Sequence, residues 1–500
     1  MGMRTPRIIV MAVTLLGIVV SLQGQTLPPI SVSKNGHYFV KADGSPFFWQ
    51  GDTAWGIFSH ATPAEVDQYL NDRAAKGFNV VQGVIALWDY RSRPNPEGEL
   101  PFVDGDFGQI NLKYFWNVDE ILDKVEAHHM YMAILPFWNK NFPAALQNEQ
   151  NQQNLKLYHR FLAQRYAKRN VIWVLGGDAS GALNGIVPYT DLMAEGLNEG
   201  ARLGGADDIM ITYHPTGRQT SSRWFHDRSW LDFNAIQSGH FIQTTNFSIV
   251  AGDFALEPAK PTLDMEPGYE NITNNLIRDN PQAPRIMARD VRRSAYLAVF
   301  AGAAGHTYGN GEVYEFWTSE KAAALPGWAA GLSFAESLKL PGSSQMQYVR
   351  RLIESRPSLI RMPDQSLIVS NTPSPSTAPA TQLSETPSGR GFGGRGGRGA
   401  GERATDHIAA MRGSDGSYAF IYVQNAQPFK VNLKLLSGKG IRAWWYDPQR
   451  GTSIPAAEFS KTDTREFTAP SDPWNPDWVL VLDDNSKGYP APGGMTGAAR

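Results

Sequence analysis

Between Pro46 and Asn310 the chain alternates eight times between a short apolar run and a longer segment with helical spacing. Apolar runs with no polar face read as parallel strands covered by helices, and eight such units are the number that closes a (β/α)8 TIM barrel. The strands read as PFFWQGDTAW, FNVVQGVIAL, MYMAILPFW, NVIWVLGG, DIMITYHP, DFNAIQSGH, PTLDMEPGYE and AGHTYGN. ATPAEVDQYLNDRAAKG is an amphipathic helix with Thr62 as its cap. KLYHRFLAQRYAKR sets Leu157, Phe161, Leu162 and Tyr166 at helical spacing just ahead of the fourth strand. Before the first strand, Asn35-Gly36 and Asp43-Gly44 are turn signals bracketing a short hairpin, a lid for one end of the barrel.

The rest of the chain is of a different kind. Arg4 and Arg7 precede an unbroken apolar run from Ile8 to Val20 and then small or polar residues, the pattern of a secretory signal peptide over 1–24. The run is shorter than the ~20 residues needed to span a bilayer, so no membrane association is expected after cleavage and the mature protein is expected to be secreted or periplasmic. No cysteine is present, which excludes disulfides, zinc-thiolate sites and a cysteine nucleophile. After a last helical region, residues 366–485 read as a small antiparallel β-sandwich, with short alternating strands in HIAAMRGSDGSYAFIYVQN, FKVNLKLLSG, IRAWWYDPQRG and DWVLVLDD. Within it, the Pro/Ser/Thr and then Gly/Arg-rich residues 372–403 bury almost no apolar surface and are expected to be disordered. Their RGG repeats suggest RNA, but a net charge of -2 gives no pull toward nucleic acid.

In parallel α/β folds the C-terminal ends of the strands carry the chemistry. The fourth strand stops on Gly176-Gly177-Asp178 and the seventh delivers Glu266, so a barrel would set two carboxylates around one pocket. Two carboxylates are the minimal equipment for glycoside hydrolysis: one protonates the leaving oxygen, the other attacks the anomeric carbon or activates water. Neither metal nor cofactor is required. The plainer alternatives are that Asp178 caps the next helix and that Asp264, Glu266 and Glu270 are ordinary polar residues flanking a strand. Other polar residues at strand ends, Asp52, Gln82, His214, Gln237, His240 and Tyr308, are candidates for holding sugar hydroxyls, or else structural groups with satisfied hydrogen bonds. Trp55, Trp88 and Trp138 could stack on a sugar ring or serve the core.

The strings FFWQGDTAW, FNVVQ, GGD and LDMEPGYE resemble the apiosidase-like catalytic domain of glycoside hydrolase family 140, known also as domain of unknown function 4038. The resemblance covers 27–363, and AWWYDPQRG resembles the collagen-binding-type domain of a collagenase that often follows it. It implies a (β/α)8 barrel, Asp178 and Glu266 as the catalytic pair, and release of apiose-linked side chains from the pectic polysaccharide rhamnogalacturonan II. The Gly/Arg-rich insertion departs from the family pattern. No HExxH zinc-peptidase motif and no GxSxG serine-hydrolase turn is present. A non-catalytic glycan- or matrix-binding protein using the sandwich, with the barrel as scaffold, stays open at this point. The partner expected on either reading is a polysaccharide or oligosaccharide.

The N-terminal pattern makes a direct prediction. Exported protein should begin near Gln25 on N-terminal sequencing, and an intact Met1 on a cytoplasmic product would contradict it.

Overall fold

The computed structural model describes residues 27–494 except 139–147, 180–184, 279, 281, 317–326, 329, 370–406 and 473–475. The expected signal peptide and the expected disordered stretch 372–403 lie outside the described residues.

Eight parallel strands form the barrel: β1 (Trp49–Thr53), β2 (Val80–Ala86), β3 (Tyr131–Phe137), β4 (Val171–Gly176), β5 (Met210–His214), β6 (Asn234–Gln237), β7 (Thr262–Asp264) and β8 (Gly305–Tyr308). Ladders join β8-β1-β2-β3-β4-β5 in one sheet and β6-β7 in another. Two sparse seams complete the ring. Ala304 N–H donates to Thr262 O at 2.9 Å between β8 and β7, and Thr212 Oγ1 donates to Phe233 O at 2.6 Å between β5 and the start of β6. The interior is filled by side chains from alternate positions, among them Trp49, Val80, Val84, Leu135, Val174, Ala235 and Leu263. The expected hairpin is present as Ile30–Val32, Phe39–Lys41 and Pro46–Phe47. Phe39 packs edge-on against Phe233 at 5.2 Å and Phe47 against Tyr131 at 5.3 Å, so this hairpin plugs the end where the strands begin.

The longer helices are α1 (Pro63–Ala75), α2 (Leu112–Ala127), α3 (Glu149–Arg165), α4 (Val187–Gly204), α5 (Asn246–Phe254), α6 (Ala288–Phe300) and α7 (Pro341–Glu354). Thr62 caps α1 in a capping box with Glu65, as the sequence predicts. Helix α3 forms where its periodicity places it: Leu162 and Tyr166 are buried together with Leu155, Tyr158 and His159, while Leu157 is exposed. Gly196 and Gly200 let the backbones of α3 and α4 meet: a Cβ at Gly200 would lie 2.1 Å from Arg160 O.

The C-terminal module is a sandwich of a six-stranded and a three-stranded antiparallel sheet. Its strands are β9 (Arg361–Pro363), β10 (Ile368–Val369), β11 (Ala409–Gly413), β12 (Tyr418–Val423), β13 (Phe429–Asn432), β14 (Gly440–Asp447), β15 (Thr452–Ser460), β16 (Thr464–Phe467) and β17 (Trp478–Asp484). The large sheet runs β9-β11-β12-β17-β14-β15 and the small one β10-β13-β16. Gln365 clips the chain on either side of 370–406, donating to Ile408 O at 2.7 Å and accepting from Ala410 N–H at 2.6 Å.

The large sheet docks on α6 and α7 through stacked Tyr296 and Tyr422, with centroids 5.0 Å apart, and through two buried bidentate pairs. Arg292 Nε and Nη2 donate to Asp477 at 2.8 and 2.6 Å, and Arg356 Nε and Nη2 donate to Asp483 at 2.7 Å each. Breaking a buried pair from one side strands the other charge and costs about 3–5 kcal/mol. Arg356→Met should therefore lower the denaturant midpoint clearly, and adding Asp483→Leu should restore much of the loss. Equal stability of wild type and Arg356→Met in urea titration would show that the pair contributes nothing.

Candidate active site

Strand β4 ends in three consecutive residues with left-handed backbone, Gly176 (φ +95°), Gly177 (φ +109°) and Asp178 (φ +56°). The glycines are required twice over. A Cβ at Gly176 would stand 2.4 Å from His214 O and one at Gly177 3.0 Å from Trp138 Cα. The turn is pinned by Gly177 N–H to His214 O at 3.1 Å and by Tyr213 Oη to Ala179 O at 2.6 Å. Asp178 is left half-buried at the barrel mouth, in a conformation that costs a non-glycine residue energy and that clusters at functional sites.

Strand β7 bulges as it ends, Met265 N–H and Glu266 N–H both reaching Ile236 O at 2.8 and 3.3 Å. Gln82, fully buried inside the barrel, braces the bulge by donating to Thr53 Oγ1 and Met265 O, each at 2.8 Å. Glu266 is 5% exposed and lies between two imidazoles. His214 Nε2 is 3.0 Å from Oε2 and His240 Nε2 is 3.2 Å from Oε1. Tyr269 N–H donates to His240 Nδ1 at 3.4 Å, so that the proton of a neutral His240 sits on Nε2, facing the carboxylate. The His214 contact is close but not aligned as a hydrogen bond, and His214 Nδ1 is buried without a hydrogen-bond partner. Burial alone would raise the Glu266 pKa. The proximity of His214 and His240 outweighs burial and holds the carboxyl well below the usual carboxylate range.

An aromatic wall leads from this carboxylate to solvent. The His214 ring stands edge-on to Trp55 at 5.5 Å. Trp55 meets Trp138 at 5.3 Å, and Trp138 meets Trp88 at 5.5 Å. Trp55 is buried and donates to Tyr269 Oη at 3.0 Å, Trp138 is half-buried, and Trp88 is 45% exposed at the base of the 88–107 loop. Gln237, 5% exposed, is the last residue of β6 and pairs with Gln219.

Asp52 and Tyr308 are placed elsewhere, which corrects the expectation that they line the pocket. Strand alternation decides it: Thr53 and Thr307 point into the barrel, bonded to Gln82 and Trp49, so Asp52 and Tyr308 point out. Asp52 accepts from Tyr69 Oη and Arg73 Nε at 2.6 Å each, fully buried under α1. Tyr308 donates to Glu270 at 2.5 Å, and the other Glu270 oxygen accepts Gly342 N–H at 3.1 Å in the first turn of α7. Asp264 also faces outward, bonded to Ser238 and Asn246, and burial pushes it up to about 6. Of the acids near β7, Glu266 alone joins the pocket. Sequence reasoning passed over Tyr269, whose position three residues after Glu266 was the available signal.

The family model described as "Apiosidase-like, catalytic domain" matches residues 33–359, and that described as "Putative collagen-binding domain of a collagenase" matches 398–483. No curated protein matches the chain. A solved structure named glycoside hydrolase is 29% identical with a TM-score of 0.77, over 93% of this chain and 98% of its own. A glycoside hydrolase family 5 protein from Bacteroides vulgatus ATCC 8482 is 30% identical with a TM-score of 0.77, over 92% of this chain and 94% of its own.

The two-histidine clamp predicts how Glu266 titrates. Followed by 13C NMR and assigned with Glu266→Gln, its carboxyl should stay ionised where an ordinary glutamate titrates, at about pH 4.3. In a His214→Phe/His240→Phe variant it should titrate at higher pH than in wild type. Ordinary titration of the wild-type carboxyl would sink the clamp.

With an eight-stranded barrel, a carboxylate held ionised after β7 and a second after β4, a model match over most of the barrel, and glycoside hydrolases as full-length structural relatives, the chain belongs to the apiosidase-like family of glycoside hydrolases.

Proposed function

We propose that this is an exported, retaining glycosidase that removes apiose-linked side chains from a plant cell-wall pectic polysaccharide, with Glu266 as nucleophile and Asp178 as general acid/base. The observation that carries the reading is the state of Glu266: buried, yet kept anionic by two imidazoles at the end of β7. An attacking carboxylate must be unprotonated, and the two imidazoles favour that state of Glu266.

In the first step a Glu266 oxygen bonds to the anomeric carbon as the glycosidic C–O bond breaks, and Asp178 gives its proton to the departing oxygen. In the second, Asp178 takes a proton from water, whose oxygen attacks the same carbon and releases Glu266 as carboxylate. Negative charge leaves Glu266 as the ester forms and returns as it is cleaved, so the imidazoles stabilise the carboxylate at both ends of the cycle. The wall of Trp55, Trp138 and Trp88 offers apolar faces to the sugar's C–H surfaces. Gln82 acts through β7 as a positioning residue.

Either Asp178→Ala or Glu266→Ala should cost several orders of magnitude in kcat on natural substrate with folding preserved. On an aryl apioside whose leaving group needs no proton, Asp178→Ala should still form the glycosyl-enzyme intermediate, whereas Glu266→Ala should not. The first sugar released, observed by NMR, should keep its anomeric configuration. Inversion, or near-normal activity of either variant on natural substrate, would refute the mechanism.

A further inference from the structure

Helix α4 carries a second concavity, on the side turned away from its buried Met193, Leu197 and Ala201. Asp191, Glu195, Asn198 and Arg202 recur every three or four residues, which puts them on one stripe of the helix. Ser229 and Trp230, in the turn before β6, face this stripe across a cleft of about 380 Å³. The turn is bolted in place. Trp230 Nε1 donates to Asp191 Oδ1 at 2.8 Å, and Arg228 Nε donates to the same oxygen at 3.0 Å. Lys260 Nζ donates to Arg228 O at 3.2 Å and also to Leu231 O. The half-buried indole rests on Phe225 with ring centroids 5.2 Å apart, and Phe225 rests on Tyr213 at 4.5 Å.

Covering Phe225 calls for an apolar side chain, but not for an indole whose N–H is tied to a helix across a gap. An aromatic ring held rigid at the surface, with an amide, carboxylates and a guanidinium around it, is equipment for a sugar: the ring takes C–H faces and the polar groups take hydroxyls. Asn198 spends only Nδ2, on Ala194 O at 2.9 Å, and Arg202 has no hydrogen-bond or ion-pair partner among the described residues. Around the cleft Asp191, Glu195 and Glu199 are balanced by Arg228, Lys156 and Arg202, so it exerts no net pull on a phosphate or a polyanion. Its volume lies at the small end of the ~300–1,000 Å³ of ligand pockets, a size for a short run of sugars. We propose that the cleft between α4 and Trp230 is a second glycan-binding site, sharing no residue with the catalytic pocket, that holds a neutral sugar segment of the polysaccharide. A polymer already engaged at the barrel mouth would meet this site at high effective concentration, so even a weak second contact strengthens retention. The site rests on the glycosidase reading only for the choice of polysaccharide.

Retardation of the Glu266→Gln protein in native gels containing rhamnogalacturonan II reads binding without turnover. Adding Trp230→Ala or Asn198→Ala should weaken the apparent affinity roughly threefold to tenfold, and Trp230→Phe should keep part of it. The weakening should be the same on polysaccharide whose carboxyl groups have been reduced. In catalytically intact protein, Trp230→Ala should raise KM on the polysaccharide by a similar factor, with kcat unchanged and both constants on a small aryl apioside unchanged. Retardation that is equal with and without the cleft substitutions, or absent altogether, would overturn the second site. So would an equal loss on the aryl apioside, the mark of a Trp230 that only braces the fold, or a Trp230 contribution that vanishes on the carboxyl-reduced polysaccharide. Failure of wild type to release any sugar would remove the glycosidase reading, while the gels would still decide the cleft.

Discussion

A carboxylate 5% exposed at the mouth of an apolar barrel cannot stay charged unless its surroundings supply what water would have. Two imidazoles approach its two oxygens, and each is itself fixed by something else. His240 is oriented by the Tyr269 amide, His214 is wedged between Trp55 and Trp138, and Tyr269 ties back to Trp55. The carbonyl of His214 in turn receives Gly177 N–H and so anchors the turn that carries Asp178. The acids from β4 and β7 are thus coupled through one residue of β5, whose side chain serves one and whose main chain serves the other. Displacing that strand end would disturb both at once.

The same economy holds at the domain junction. Helix α6 presents Arg292 and the chain just after α7 presents Arg356, and the sandwich presents Asp477 and Asp483, in planar forks with almost no water access. Arg361 adds a third contact, lying over Tyr38 of the N-terminal hairpin at 3.5 Å and donating to Ala303 O at 3.1 Å while its own strand β9 pairs with β11. Hairpin, barrel and sandwich therefore share a single buried arginine. No polar linker separates the modules, and paired charge inside an interface fixes orientation more than it adds affinity.

Much of this was legible in the sequence, for a physical reason. A parallel strand covered on both faces must be apolar throughout, so all eight barrel strands stood out, and the fold's rule about strand ends led from them to Asp178 and Glu266. His214 and His240 followed by the same rule, and each sets an imidazole nitrogen against a Glu266 oxygen, with Trp55 and Trp138 packed on His214. What sequence could not give was phase. A uniformly apolar strand does not say which residues face inward, and one step of the pleat turned Asp52 and Tyr308 toward the helices. Helix α3 was legible from its spacing, with Leu162 and Tyr166 buried and only Leu157 of that set facing out. The pairing of Arg292 with Asp477 was beyond reach, because contact between residues far apart in the chain leaves no periodic trace.

The clip made by Gln365 bears on what the sandwich requires of the sequence that joins its two arms. Because the side chain of Gln365 bonds to Ile408 and Ala410, the two ends of 370–406 meet at a closed neck whatever lies between them. Closing a chain segment costs entropy that grows only with the logarithm of the number of residues joined, about 0.6 kcal/mol for each doubling. The sandwich is nearly blind to how much sequence is spliced in there, so this position can gain or lose repeats over generations without the fold registering the change.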